Sequence, residues 1–297
     1  MKIIVCKTAG LCSGAKRAYD EAVKSAKIGD KKTCVYKEIL HNEKLLCDLE
    51  SKGVKTIYDL NDISPDSRII LRAHGEEKQT YDMLKNFNAE IVDMICPNVK
   101  KVHDIAIKKE DEGCKIIVVG NIKNGKIHDE TKSLLSFLTE PIFISSVNDV
   151  HKNMFENGKK YFAVCQTTFS LEGYKDIVEL LGDQIEKANA EFDYANTICN
   201  FPLVNMKESV ELAKKCDCVI VLGSKSSSNT TQLYNSVKNV CPTIFDDDFE
   251  TIKNFVKNEA GFLHKNDKDF VVGIVAGAST LKTDIDELSG FLLKSAL

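Results

Sequence analysis

"NAEIVDMICPNVKKVHDIAIKKEDEGCKIIVVG", residues 88–120, decides how this chain folds, because a second copy of the same plan follows it. That copy is "NAEFDYANTICNFPLVNMKESVELAKKCDCVIVLG", residues 189–223. Each opens on Asn-Ala-Glu, passes through a short strand-like run to Ile-Cys, continues at helical period and ends in a β-branched run closed by glycine. Cys96 lies 24 positions before Gly120, and Cys199 lies 24 before Gly223. The same step from Cys12 lands on Tyr36, at the end of "TCVY". The chain therefore reads as three βα repeats of roughly 100 residues, each setting one cysteine between a strand and the next helix.

Working outward, β-branched runs recur at 2–5, 68–75, 115–120, 161–168, 218–224 and 270–279, with helix-period segments between them at 14–27, 98–112, 171–188 and 204–215. Strands alternating with helices of this length predict an α/β fold with mostly parallel sheets. The expected domains are 1–96 with Cys12, 97–193 with Cys96 at its start, and 194–297 with Cys199. Composition, at 43% apolar and 28% charged, is that of a soluble globular protein. No apolar run approaches the roughly 18 residues that span a bilayer. A net charge of −4 gives no footprint for nucleic acid or an anionic membrane surface. The opening "MKIIVCKTAG" reads as a first strand rather than a signal peptide, so a cytoplasmic location is expected.

Eleven cysteines without a single C-x-x-C argue against a disulfide framework in such a chain and towards metal, redox chemistry or buried thiols. Cys216 and Cys218, just before "VIVLG", read as small core residues. Cys12, Cys96 and Cys199 would come together near helix N-termini if the repeats were arranged about an axis. Three thiolates without a fourth suit an iron–sulfur cluster with one unliganded iron, or a catalytic zinc with an open position. Polar motifs follow the strands: "KEILHN" with His41, "RAHGE" with His74, "QTT" with Thr167, "GSKSSSN" with Ser227, Ser228 and Asn229, and "AGAS" with Ser279. Imidazoles, hydroxyls, amides and glycines at strand ends are the donor set that cradles phosphate. Neither G-x-x-x-x-G-K-[ST] nor G-x-G-x-x-G is present, so nucleotide folds are unsupported.

With Cys12 in "GLCSGAKRA", "EILHN", "RAHG", Cys96 in "CPNVKKVH", "QTT", Cys199 in "TIC", "GSKSSSN" and "AGAS", the chain resembles the IspH/LytB family, in motif order and over nearly its whole length. The resemblance implies a trefoil of three pseudo-repeated α/β domains around a central [4Fe–4S] cluster held by Cys12, Cys96 and Cys199, a cluster that can be isolated as [3Fe–4S]. It implies diphosphate binding by His41, His74, Ser227, Ser228, Asn229 and Ser279, with Thr167 near the substrate hydroxyl. It also implies reductive dehydroxylation of 4-hydroxy-3-methylbut-2-enyl diphosphate to isopentenyl and dimethylallyl diphosphates, with electrons from a carrier such as ferredoxin or flavodoxin. The proton donor of the family is the glutamate of a His-Pro-Glu loop.

That loop departs here. Counting from Gly120 without gaps puts Asn124, Gly125 and Lys126 in its place, so Asn124 and Lys126 are expected to contact an anion rather than deliver a proton. His128, Asp129 and Glu130 could substitute only if the loop takes another path. "NFPLVNMKES" after Cys199 is a second departure, with Pro202 and Leu203 where a hydroxyl is expected. Two alternatives stay open on these grounds: a divergent [4Fe–4S] reductase acting on another phosphorylated or anionic substrate, and a non-catalytic redox or sensor protein. The last would need a fourth ligand, for which Cys165 is the candidate.

Overall fold

A β-branched run buried on both faces is a central strand of a parallel sheet, and this chain supplies two for each of three sheets. The computed structural model describes residues 1–40, 42–225, 227–258 and 270–295. The chain opens on β1 (Lys2–Val5) and α1 (Ser13–Ile28). β2 (Lys32–Tyr36), β3 (Lys55–Ile57), β4 (Ser67–Leu71) and β5 (Glu90–Asp93) follow, with α2 (Glu43–Ser51) and α3 (Lys78–Leu84) between them. After α4 (Pro97–Asp111) come β6 (Lys115–Val119), a hairpin of β7 (Ile122–Lys123) and β8 (Lys126–Ile127), and α5 (Asp129–Leu135). β9 (Ile142–Ile144), β10 (Lys160–Cys165), α6 (Leu171–Lys187) and β11 (Glu191–Tyr194) complete that repeat. The last third holds α7 (Phe201–Ala213), β12 (Cys218–Leu222), α8 (Ser228–Val237), β13 (Thr243–Asp246), α9 (Phe249–Asn258), β14 (Val271–Ala276) and α10 (Lys282–Ser295).

The three four-stranded sheets run β3-β2-β4-β5, β9-β6-β10-β11 and β13-β12-β14-β1, and all their pairings are parallel. Numbered within a repeat, each order is 2-1-3-4. The third sheet takes its fourth strand from the start of the chain. β1 pairs with β14, Lys2 opposite Val271, so residues 2–5 belong with the C-terminal repeat rather than with the expected 1–96 domain. Contacts divide the chain into two compact units. One holds residues 1–16, 40–45 and 200–297 and contains the third sheet; the other holds 17–39 and 46–199 and contains the first two.

Alternation along the central strands of the second and third sheets feeds two cores in each. Ile117 and Val119 of β6 join Tyr161, Cys165, Tyr174 and Leu181 on one face, while Ile116 and Val118 join Val102, Ala106, Leu134 and Phe162 on the other. β12 divides likewise, Ile220 and Leu222 to one side, Val219 and Val221 to the other. Cys218 lies within this core, and burial pushes its thiol up to about 12, so it stays protonated. The glycine closing each repeated run has a steric reason: a Cβ on Gly120 would collide with the Thr131 side chain, and one on Gly223 would meet Thr230 Cγ2 at 3.1 Å.

In a 2-1-3-4 parallel sheet the connections diverge between the first and third strands, leaving a crevice at their carboxyl ends where ligands bind. The motifs singled out in the sequence fall there. "RAHG" follows β4; "GNIKNGKIHDE" and "QTT" follow β6 and β10; "GSKSSSN" and "AGAS" follow β12 and β14.

Candidate active site

The three repeated cysteines occupy one structural position. Each follows the fourth strand of its sheet, β1, β5 or β11, at the start of the next helix. Each also donates its backbone N–H to the loop after the third strand: Cys12 to Ala278 O at 3.3 Å, Cys96 to Ala73 O at 2.9 Å, and Cys199 to Thr167 O at 2.7 Å. Cys96 is the N-cap of α4 with Pro97 at the first helical position. Cys12 immediately precedes α1, its Sγ accepting from Ala15 N at 3.5 Å, and Cys199 immediately precedes Asn200, the N-cap of α7. All three are half-buried. Asn98 Nδ2 donates to Cys199 Sγ at 3.2 Å.

Among the described residues no three His, Cys, Asp or Glu side chains gather as a single metal ion requires. A cluster asks for a different arrangement, because each thiolate meets its own iron and the sulfurs need not share one centre. Within its own unit, each cysteine is set by an equivalent backbone bond. Cys165 does not join them. It is fully buried in the apolar core of β10, where desolvation, then the neighbouring Glu130 charge, push its thiol well up.

The loop after β6 takes a path that the ungapped count missed. β7 and β8 pair antiparallel, Ile122 opposite Ile127 and Lys123 opposite Lys126, around a two-residue turn at Asn124-Gly125. Both turn residues have positive φ, 52° and 72°, as a type I′ hairpin turn requires. Asn124 and Lys126 are exposed on this hairpin and do not occupy the place expected of them. The double substitution Asn124→His with Lys126→Glu is therefore expected to leave turnover within about twofold of the parent, as exposed changes usually do; steady-state kinetics check this.

Beyond the hairpin, His128 N bonds Asn121 O at 2.9 Å and the chain enters α5, with His128 as its N-cap. The second residue of that helix, Glu130, is a buried carboxyl, only 4% exposed. Its Oε1 accepts the Thr167 backbone N–H at 2.6 Å, and its Oε2 accepts the Thr167 hydroxyl at 2.8 Å. Burial pushes this carboxyl up to about 7, against the opposing pull of the two Thr167 bonds. The His128 ring stands edge-on to His74, centroids 5.5 Å apart. Gln166 ties the two loops together, its Oε1 accepting from Asn121 N at 2.8 Å and Thr131 Oγ1 at 3.1 Å.

Beside this acid runs a charged network that sequence reasoning did not find. Arg72 Nε donates to Glu76 Oε1 at 2.7 Å and Arg72 Nη1 to Asp129 Oδ2 at 2.8 Å; Lys37 Nζ reaches Glu76 Oε2 at 2.8 Å. Burial would raise the Asp129 carboxyl, but Arg72, with His74 and Lys37, holds it below its ordinary value.

The remaining expected residues divide by unit. His74, Thr167, Cys96 and Cys199 belong to the unit carrying Glu130; Cys12, Ser227, Ser228, Asn229 and Ser279 belong to the other. There, Ser227 caps α8 through Thr230 N at 3.4 Å, and Asn42 Nδ2 donates to Ser279 O at 2.6 Å. Ser228 and Asn229 begin α8. His41 lies outside the described residues. Pro202 sits in the first turn of α7, and Leu203 and Val204 beside it are exposed.

Comparison with known proteins gives one answer. A family model described as LytB protein matches residues 3–292. A 4-hydroxy-3-methylbut-2-enyl diphosphate reductase of Campylobacter hominis is 36% identical over 284 residues, 94% of each chain. The one from Clostridioides difficile (strain 630) is 33% identical over 298 residues, 98% of this chain and 99% of that one. A solved structure of (E)-4-hydroxy-3-methyl-but-2-enyl diphosphate reductase, described as the terminal enzyme of the non-mevalonate pathway, superposes with TM-score 0.81 at 26% identity, covering 99% of both chains. The reductase from Plasmodium falciparum gives TM-score 0.72 at 26% identity, covering 98% of this chain and 87% of that one. The family model and the relatives both span nearly the full sequence, and the chain belongs to the LytB family of reductases, as an oxidoreductase.

Proposed function

We propose that this chain reduces 4-hydroxy-3-methylbut-2-enyl diphosphate to isopentenyl and dimethylallyl diphosphates, using a [4Fe–4S] cluster held by Cys12, Cys96 and Cys199. One observation supports the reading: a carboxyl buried beside Thr167, its pKa pushed up to about 7, has the protonation behaviour that the reaction's acid needs. The reaction adds two electrons and two protons, breaks the allylic C–O bond and releases water. Hydroxide is a poor leaving group, so the oxygen must be protonated as the bond breaks. When bound, the cluster supplies the two electrons, received from an external carrier, and a Lewis-acid position for the substrate hydroxyl.

The chain's own residues manage the proton. Glu130 Oε1 is occupied by the Thr167 backbone N–H, so the acid proton sits on Oε2. With Oε2 protonated, the bond to Thr167 Oγ1 reverses, and the threonine hydroxyl turns its own proton outward to the substrate oxygen. Thr167 then passes on what Glu130 holds. His74 and His128 offer imidazole donors for an anion, and the diphosphate assignment of His41, Ser227, Ser228, Asn229 and Ser279 is part of the same proposal. Burial of Cys165 in the core speaks against it as the fourth ligand that a closed redox or sensor cluster would need.

The test is anaerobic reconstitution followed by turnover of 4-hydroxy-3-methylbut-2-enyl diphosphate with dithionite and a viologen mediator. Absence of product from protein with full iron and sulfide content would overturn the proposal. Asn98 allows a separate check. A donor to a cluster thiolate raises the reduction potential, so Asn98→Leu is expected to lower the midpoint measured by EPR-monitored titration.

A further inference from the structure

The Arg72–Asp129 pair lies outside the proton path, yet it is built with more care than a surface ion pair. Arg72 is buried, and so is Glu76. The two cations Lys37 and Arg72 are balanced by the two carboxylates Glu76 and Asp129. Lys37 lies just past the end of β2, Arg72 just past β4, and Glu76 in the loop between β4 and α3. Asp129 is the first residue of α5, so the network ends on the residue between His128 and Glu130. Ser133, one turn along α5, returns to the same loop by donating Oγ to Glu76 O at 2.8 Å. A Cβ on Gly75 would lie 3.1 Å from that same Oγ, so loop and helix are in close contact.

A seven-residue helix is too short to hold its first turn by its own hydrogen bonds. We propose that Arg72 and Asp129 are positioning residues, their ion pair locking the first turn of α5 to the β4–α3 loop and so holding Glu130 on Thr167 and His128 against His74. The proposal rests on Glu130 acting as the acid. The competing role for Arg72, direct contact with the substrate's diphosphate, makes the opposite kinetic prediction, because breaking the pair would release a cation to the anion.

Three variants at the half-exposed Asp129 decide the matter without disturbing the buried Arg72–Glu76 pair. Asp129→Ala and Asp129→Asn are expected to lower kcat about tenfold with KM within about twofold, since a misplaced catalytic group costs rate rather than binding. Amide hydrogen exchange of residues 129–133 in the full chain without substrate should accelerate about tenfold. Asp129→Pro should keep kcat within about threefold of the parent and retain the protection, because proline at the first helical position fixes φ without help from Arg72. Unchanged kcat and exchange in Asp129→Ala would overturn the proposal, as would a lower KM at unchanged kcat. So would an Asp129→Pro variant that behaves like Asp129→Ala. The exchange readout stands even if the substrate assignment fails, so the two failures are distinguishable.

Discussion

Glu130→Gln lowers turnover of the allylic diphosphate by about 10²–10⁴-fold, the range that general acid catalysis contributes. Glutamine matches glutamate in shape, so the substituted amide can still accept the Thr167 backbone N–H and meet its hydroxyl. It has no carboxyl proton to give, so the loss should fall on kcat while KM stays within a few-fold. Iron content and cluster spectrum should match the parent, because no bond from Glu130 to any of the three cysteines is involved. A Glu130→Gln enzyme retaining more than about a tenth of the parent kcat would show that the proton comes from elsewhere.

The same carboxyl sets a pH dependence in two quantities. Glu130 titrates near 7 in the folded chain against an ordinary 4.5, so its neutral, catalytically useful form is lost as pH rises through 7. The pH profile of kcat/KM should show a basic limb there, absent from Glu130→Gln. Stability follows the same direction. The raised pKa means that the folded state holds the proton more tightly than the unfolded chain, so this group's contribution is fully present below pH 4.5 and is lost as pH rises through 7. The shift corresponds to about 3 kcal/mol. Denaturant midpoints for the parent should decline relative to Glu130→Gln across that window, and parallel midpoints would exclude a buried, shifted acid.

The α/β architecture was legible because it rests on long-period features: runs such as "KIIVVG" and "CVIVLG", and a cysteine repeated 24 positions before each terminal glycine. Those features mark central strands and chain reversals, which packing on both faces enforces. The placing of β1 in the last sheet was not legible, since "KIIV" carries no sign of its pairing partner. The site was lost at one point, the count across 121–130. Counting without gaps assumes a constant path, but "IKNGKI" is a hairpin with Asn-Gly at its turn, and that dipeptide between matched residues was the available signal. Recognising it would have moved the counterpart of the family's glutamate from Lys126 to Glu130. The Arg72–Asp129–Glu76–Lys37 network had no comparable signal, because it joins residues from the ends of β2 and β4 to the start of α5 through tertiary contact alone.

On the proposed ligand assignment, replacing Cys96 or Cys199 by alanine is expected to abolish cluster retention, and replacing Cys165 or Cys218 to leave it intact. The repeated 24-residue step singles out Cys96 and Cys199 in the sequence, where Cys218 reads as a core residue and Cys165 as a candidate fourth ligand. Structure separates them by what each sulfur can become. Cys165 and Cys218 lie inside β10 and β12, and burial raises both thiols, so a thiolate there would be costly. Cys96 and Cys199 are half-buried at helix starts, with backbone bonds to Ala73 and Thr167 fixing where each sulfur stands. Removing one leaves two of three protein ligands, and iron and acid-labile sulfide after anaerobic reconstitution should fall at least about tenfold, beyond what loss of an outer-shell partner costs. Cys12→Ala should behave in the same way, by its equivalent bond to Ala278. The Cys165→Ala and Cys218→Ala proteins lose only a small buried side chain and should bind the parental amount of iron, with melting temperatures lowered by their cavities. Full iron in Cys199→Ala, or none in Cys165→Ala, would reverse the ligand assignment.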